Sequence, residues 1–115
     1  MKRKKPILYN KKNIEDLKYQ INKENYNRIT ISFYKYVIIK DPNLFRNNLF
    51  ISFNKINVLG RIYISKEGIN AQISVPEQNY NNFISIIKSY DYLTELDLKK
   101  ALQEGISFYK LTIKV

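Results

Sequence analysis

Residues 58–63 (Val-Leu-Gly-Arg-Ile-Tyr) and 67–76 (Glu-Gly-Ile-Asn-Ala-Gln-Ile-Ser-Val-Pro) alternate apolar and polar side chains on either side of a short turn. A period of two means a strand with one buried face, and two such runs so closely joined read as a hairpin. Any fold for this chain has to accommodate that hairpin. It also holds Gly60 and Gly68, two of the three glycines in a sequence whose Lys, Asn, Ile and Tyr richness reads as codon bias. Glycines kept in such a background point to backbone needs. Gly68 suits a turn position of positive φ, and Gly60 suits a bulge or a close approach to a helix. Neither belongs to a phosphate-binding loop, since there is no G-x-G-x-x-G and no G-K-[ST].

The remaining pattern surrounds the hairpin. Upstream, Ile29, Ile31, Phe33, Val37 and Ile39 alternate with Thr30, Ser32, Tyr34, Tyr36 and Lys40, which predicts a strand. Asp41 as cap and Pro42 at the first helical position open a helix that Phe45, Leu49, Phe53 and Ile56 continue on one face to about residue 57. Pro76 and Glu77 start a second helix with Tyr80, Phe83, Ile84 and Ile87 at helical spacing, ending near Tyr90. Residues 97–102 and 107–114 are two final extended segments around Gly105. The order β-α-β-β-α-β plus a terminal strand predicts an α+β domain over residues 29–115. It is of ferredoxin-like, split βαβ type: an antiparallel sheet with two helices on one face. Residues 1–28 form a basic N-terminal extension. Ile14, Leu17 and Ile21 suggest one short helix within it, over about residues 13–23.

Composition narrows the chemistry. The 115 residues suffice for one modest core. They include no Cys and no His, which removes the thiolate nucleophile and the usual general base and metal ligands. No catalytic residue, metal site or cofactor is expected. No run approaches the roughly 18 apolar residues that cross a membrane, and no apolar signal region follows the basic N-terminus. The expectation is a cytoplasmic protein with no membrane partner. The net charge of +10 is uneven: residues 1–40 carry 11 Lys and Arg against three Asp and Glu, and residues 41–115 carry nine against seven. A basic arm beside a nearly balanced domain is a common nucleic-acid footprint, although AT-rich coding alone also enriches lysine.

If both helices cover one face of the sheet, the alternation exposes the other. That face would carry Thr30, Ser32, Tyr34, Tyr36, Arg61, Tyr63, Asn70, Gln72, Ser74, Phe108, Lys110, Thr112 and Lys114. Aromatic rings beside cations on a flat sheet suit single-stranded RNA, whose bases stack for about 1–3 kcal/mol each. The candidate RNA-binding residues are Lys35, Tyr36, Arg61, Tyr63, Lys66, Asn70 and Lys110. Lys35 interrupts an apolar face, so it sits beyond the core edge or marks a bulge. Glu67 and Asn70 flank the turn, where a turn-stabilising role is the commoner outcome. The same open face would equally suit packing against another domain.

In order and spacing, residues 30–36, Asp41-Pro42, 58–63, 67–76 and 107–115 resemble the N-terminal domain of the bacterial rhodanese-related tRNA uridine 5-hydroxylases. The likeness covers nearly everything from Ile29 onward. The resemblance implies a ferredoxin-like domain similar to acylphosphatase, in a family that hydroxylates the wobble uridine of tRNA with oxygen. The family's catalytic cysteine lies in a following rhodanese domain. That domain is expected to be missing here, so no catalytic residue carries over. What the resemblance implies for this chain is tRNA engagement, or docking as a scaffold on a separate rhodanese domain in trans. A hydrolase of the acylphosphatase type is the remaining alternative. It would need a phosphate-cradling loop with an Arg after the first strand, and residues 37–42 offer none.

Overall fold

The computed structural model describes residues 26–96, 102–103, 108 and 110–115. The short helix expected over residues 13–23 lies outside them, as do most of the basic extension and residues 97–101.

Strand β1 (Arg28–Tyr36) leads to helix α1 (Pro42–Lys55), then β2 (Leu59–Ser65), β3 (Gly68–Pro76), helix α2 (Tyr80–Ser89), β4 (Leu102–Gln103) and β5 (Leu111–Lys114). A 3-10 turn, Glu77–Asn79, precedes α2, and another, Asp91–Leu93, follows it. The five strands form one sheet in the order β4-β1-β3-β2-β5. This is the expected split βαβ arrangement. Its hairpin is in register from Leu59↔Ser74 to Ser65↔Gly68, with Lys66 and Glu67 as the two-residue turn.

One expectation is corrected. The sheet is mixed, because β5 pairs with β2 in parallel, whereas β1–β3, β1–β4 and β2–β3 are antiparallel. Strands β4 and β5 occupy opposite edges. Seven residues separate Gln103 from Leu111. They reach about 23–25 Å when extended, enough for four strand spacings of about 4.8 Å.

The core lies between the sheet and the helices. Ile31, Phe33, Ile62, Ile64, Ile69, Ala71, Ile73, Val75, Leu111 and Ile113 face inward from the strands. Phe45, Leu49, Phe50 and Phe53 from α1 and Phe83 and Ile87 from α2 close over them. The α1 boundary follows the sequence signal: the Leu44 amide donates to Asp41 Oδ1 at 3.1 Å, with Pro42 in the first turn. Asn57 ends the segment in a left-handed conformation, φ 60°, which Asn tolerates better than most residues. Arg28 donates to the Asn57 carbonyl at 2.9 Å and to that of Ser74 at 3.2 Å. The Asn79 side-chain amide donates to the Ile56 carbonyl at 3.0 Å, which ties the start of α2 to the end of α1. Arg46 Nε donates to the Ile113 carbonyl at 2.9 Å and the guanidinium lies over the Phe50 ring, 4.9 Å from its centroid, pinning β5 to α1.

The cap gives a direct test. Asp41→Ala is expected to lower stability by about 1 kcal/mol, whereas Asp41→Asn, which keeps an acceptor, should stay within a few tenths. Chemical denaturation of both variants measures the difference, and equal losses would show that the cap bond is not the stabilising contact.

Candidate nucleic-acid interface

The register places the outward residues in rows across the sheet. Tyr34 on β1 stands opposite Asn70 on β3, Asn70 opposite Tyr63 on β2, and Tyr63 opposite Lys114 on β5. The next row runs Ser32, Gln72, Arg61, Thr112. Tyr34, Tyr36 and Tyr63 remain 55%, 78% and 51% exposed, so each keeps ring surface available for contact. Tyr34 and Tyr36 meet edge to face, with centroids 4.6 Å apart at 67°. Hydrogen bonding with the Tyr36 phenol, then partial desolvation and the neighbouring Tyr36 and Glu67 charges, raise the Tyr34 hydroxyl above the usual tyrosine range. Tyr34 is therefore an uncharged ring at neutral pH. Among the described residues, Arg61, Lys110 and Lys114 are exposed and form no ion pair.

The sequence-chosen residues divide accordingly. Tyr36, Arg61, Tyr63 and Asn70 share the open face. Lys66 is exposed in the β2–β3 turn beside it, and Lys110 is exposed just ahead of β5, its carbonyl accepting from Gly60 N at 2.8 Å. Lys35 is not brought to this group. It pairs with buried Ile69 in unbroken register, so it shares the helix-covered side, at the end of the strand beyond the core and with no bulge. Thr30, Ser74 and Phe108 were expected on the open face, but all three are buried, so the accessible surface is concentrated at the Tyr34–Tyr36 end of β1. Asn70 faces outward rather than serving the turn; there, Ser65 Oγ accepts from the Glu67 amide at 3.1 Å. Tyr34 and Lys114 share this face, as the alternation implied, but were not among the candidate RNA-binding residues. The i, i+2 spacing of Tyr34 with Tyr36 is the signal that would have added it.

Gly60 has φ 130°, and a Cβ there would lie 2.2 Å from the Gln72 carbonyl oxygen. The expectation was a bulge or a close approach to a helix; the register is unbroken and the close approach is to the neighbouring strand. At Gly68, φ 158°, a Cβ would lie 2.2 Å from the Lys35 carbonyl oxygen.

Among the described residues no group of three His, Cys, Asp or Glu could hold a metal ion. The face offers rings for stacking, amides for hydrogen bonding and cations for phosphate.

Comparison with known proteins adds the family. Residues 28–115 match the description "UPF0176 acylphosphatase like domain". The chain belongs to the UPF0176 acylphosphatase-like domain family. It is 43% identical over 112 residues to a tRNA uridine(34) hydroxylase of Hamiltonella defensa subsp. Acyrthosiphon pisum, covering 96% of this chain and 32% of that protein. It is 44% identical, with the same coverage, to proteins of that name from Yersinia pestis (strain Pestoides F) and Yersinia pseudotuberculosis (serotype O:3). The chain thus spans about a third of the length of the curated relatives it matches.

In this UPF0176-type domain the segment after β1 is not a phosphate cradle. The Val37 and Ile39 amides donate to the Glu67 and Lys66 carbonyls at 3.1 and 3.0 Å, and the Lys40 amide to Tyr92 Oη at 3.4 Å. Donors already occupied by the protein cannot gather around an anion, and residues 37–42 contain no Arg. No described helix is long and apolar enough to cross a membrane.

Proposed function

We propose that this chain is a tRNA-engaging domain of the wobble-uridine hydroxylase type, which contacts RNA through the open face of its sheet and leaves the chemistry to another domain. The observation that carries the reading is the set of three exposed tyrosines with Asn70, Gln72, Arg61 and Lys114 on one flat surface. Rings that stack on any base, together with unpaired cations, favour single-stranded or looped RNA over a protein groove. The relatives' name, tRNA uridine(34) hydroxylase, supplies the class of RNA. The absence of Cys from the sequence supports placing the oxidation elsewhere.

Fluorescence anisotropy of labelled tRNA against salt concentration tests this. Affinity is expected to fall steeply with salt. Arg61→Ala should weaken binding several-fold and reduce the salt slope by about one if Arg61 neutralises one phosphate. Salt-independent binding, or an Arg61→Ala variant identical to the parent, would overturn the proposal.

A scaffold role also has support, because the relatives are about three times longer than their match to this chain. In that reading the domain docks on a separately encoded rhodanese-type partner. Co-purification with such a partner and no tRNA affinity of its own would select it.

A further inference from the structure

The row Tyr34–Asn70–Tyr63 does more than display aromatic surface. The three residues line a depression of about 190 Å³, together with Ile64, Ser65, Gly68 and Ile69. We propose that this depression is a slot for one unstacked nucleobase of single-stranded RNA, with Tyr34 and Tyr63 as its walls and the Asn70 amide reading the base edge. The proposal rests on the RNA-binding reading above and names where on the face a base is held.

The dimensions support it. Tyr34 and Tyr63 stand two strand spacings apart, about 9.5 Å at the backbone. A planar ring stacked on both needs about 7–8 Å between ring planes, so each side chain would have to lean inward by about one ångström. The walls are held differently. Tyr36 abuts the Tyr34 ring at 4.6 Å and supports it, whereas Tyr63 stands beside Lys114. Gly68, with no room for a Cβ, keeps one end of the slot free of side chain.

The chemistry supports it as well. Among the described residues the Asn70 side chain is exposed and has no hydrogen-bond partner. One amide presents a donor and an acceptor side by side, which matches the paired donor and acceptor on a base edge. The neighbouring Arg61 and Lys114 give the adjoining phosphates a positive counterpart on the same face.

The test uses the 115-residue chain and a labelled ten-nucleotide single-stranded RNA. A matched strand with abasic sites and the same sequence as a duplex serve as controls. Tyr34→Ala and Tyr63→Ala are each expected to weaken single-strand binding roughly 5- to 150-fold, the range of one base–aromatic stack. Tyr34→Phe and Tyr63→Phe should bind within about twofold of the parent, since the ring is what stacks. Asn70→Ala should weaken binding by roughly fivefold, one lost hydrogen bond, and level the differences among single-base strands. All these positions are exposed, and circular dichroism checks that the fold persists.

Alanine variants that bind like the parent, or an abasic strand that binds as tightly, would overturn the slot. If Arg61→Ala still weakened binding in that case, the broader reading would stand without it. If the parent bound neither tRNA nor single-stranded RNA, both would fall.

Discussion

Gly60→Ala is expected to destabilise the domain by about 2–6 kcal/mol, a large part of the 5–15 kcal/mol that holds a typical domain together. Two costs add. A side chain at φ 130° is strained, which costs about 1–3 kcal/mol. The new methyl would also lie 2.2 Å from the Gln72 carbonyl oxygen and 2.7 Å from the Ile73 Cα, and overpacking of this kind typically costs about 1–3 kcal/mol. These atoms cannot yield easily. They belong to β3, the central strand, held on one side by β1 and on the other by β2. Urea denaturation of the variant and parent measures the loss. A change under about 1 kcal/mol would mean that β2 can slide away from β3 without disturbing the sheet.

Phe53→Ala should cost about 3–5 kcal/mol, the usual range for emptying a buried aromatic site. Phe53 is fully buried on α1, and its ring centroid lies 5.5 Å from that of Phe83 on α2. It therefore joins the two helices as well as filling space above the sheet. Neither helix can collapse into the gap without pulling on the Asn79–Ile56 bond that ties them. Ile51→Ala, two residues away but 40% exposed, is the control, with an expected loss under about 1 kcal/mol. Equal losses at the two positions would show that Phe53 is not the joint between the helices.

The elements were legible where their signals are local. Asp41 and Pro42 announce α1 because a cap and a first-turn proline act within four residues, and the Leu44–Asp41 bond is that signal realised. The hairpin was legible from alternation alone, and Tyr63 and Asn70 do share a face. Gly60 was recognisable as a backbone requirement, but its neighbour was not, because Gln72 is brought against it only by strand pairing.

The candidate site was legible in part. Arg61, Tyr63, Asn70 and Tyr36 came together as the alternation implied. Lys35 did not, since one residue of offset along a strand turns a side chain to the opposite face. Thr30 and Ser74 alternate correctly and are still buried, because alternation identifies a face and cannot say what covers it.

By itself, then, the sequence determined the two helices that follow β1 and β3, the hairpin, the alternation of faces along its strands and the lack of thiol or imidazole chemistry. Those properties depend on spacing within a few residues and on composition. Only the tertiary structure decided that β5 joins β2 in parallel at the far edge, and that Tyr34 and Tyr63 stand on either side of Asn70. Strand order and register are contacts between segments far apart in the chain, and they are set when the whole sheet buries one face against the helices.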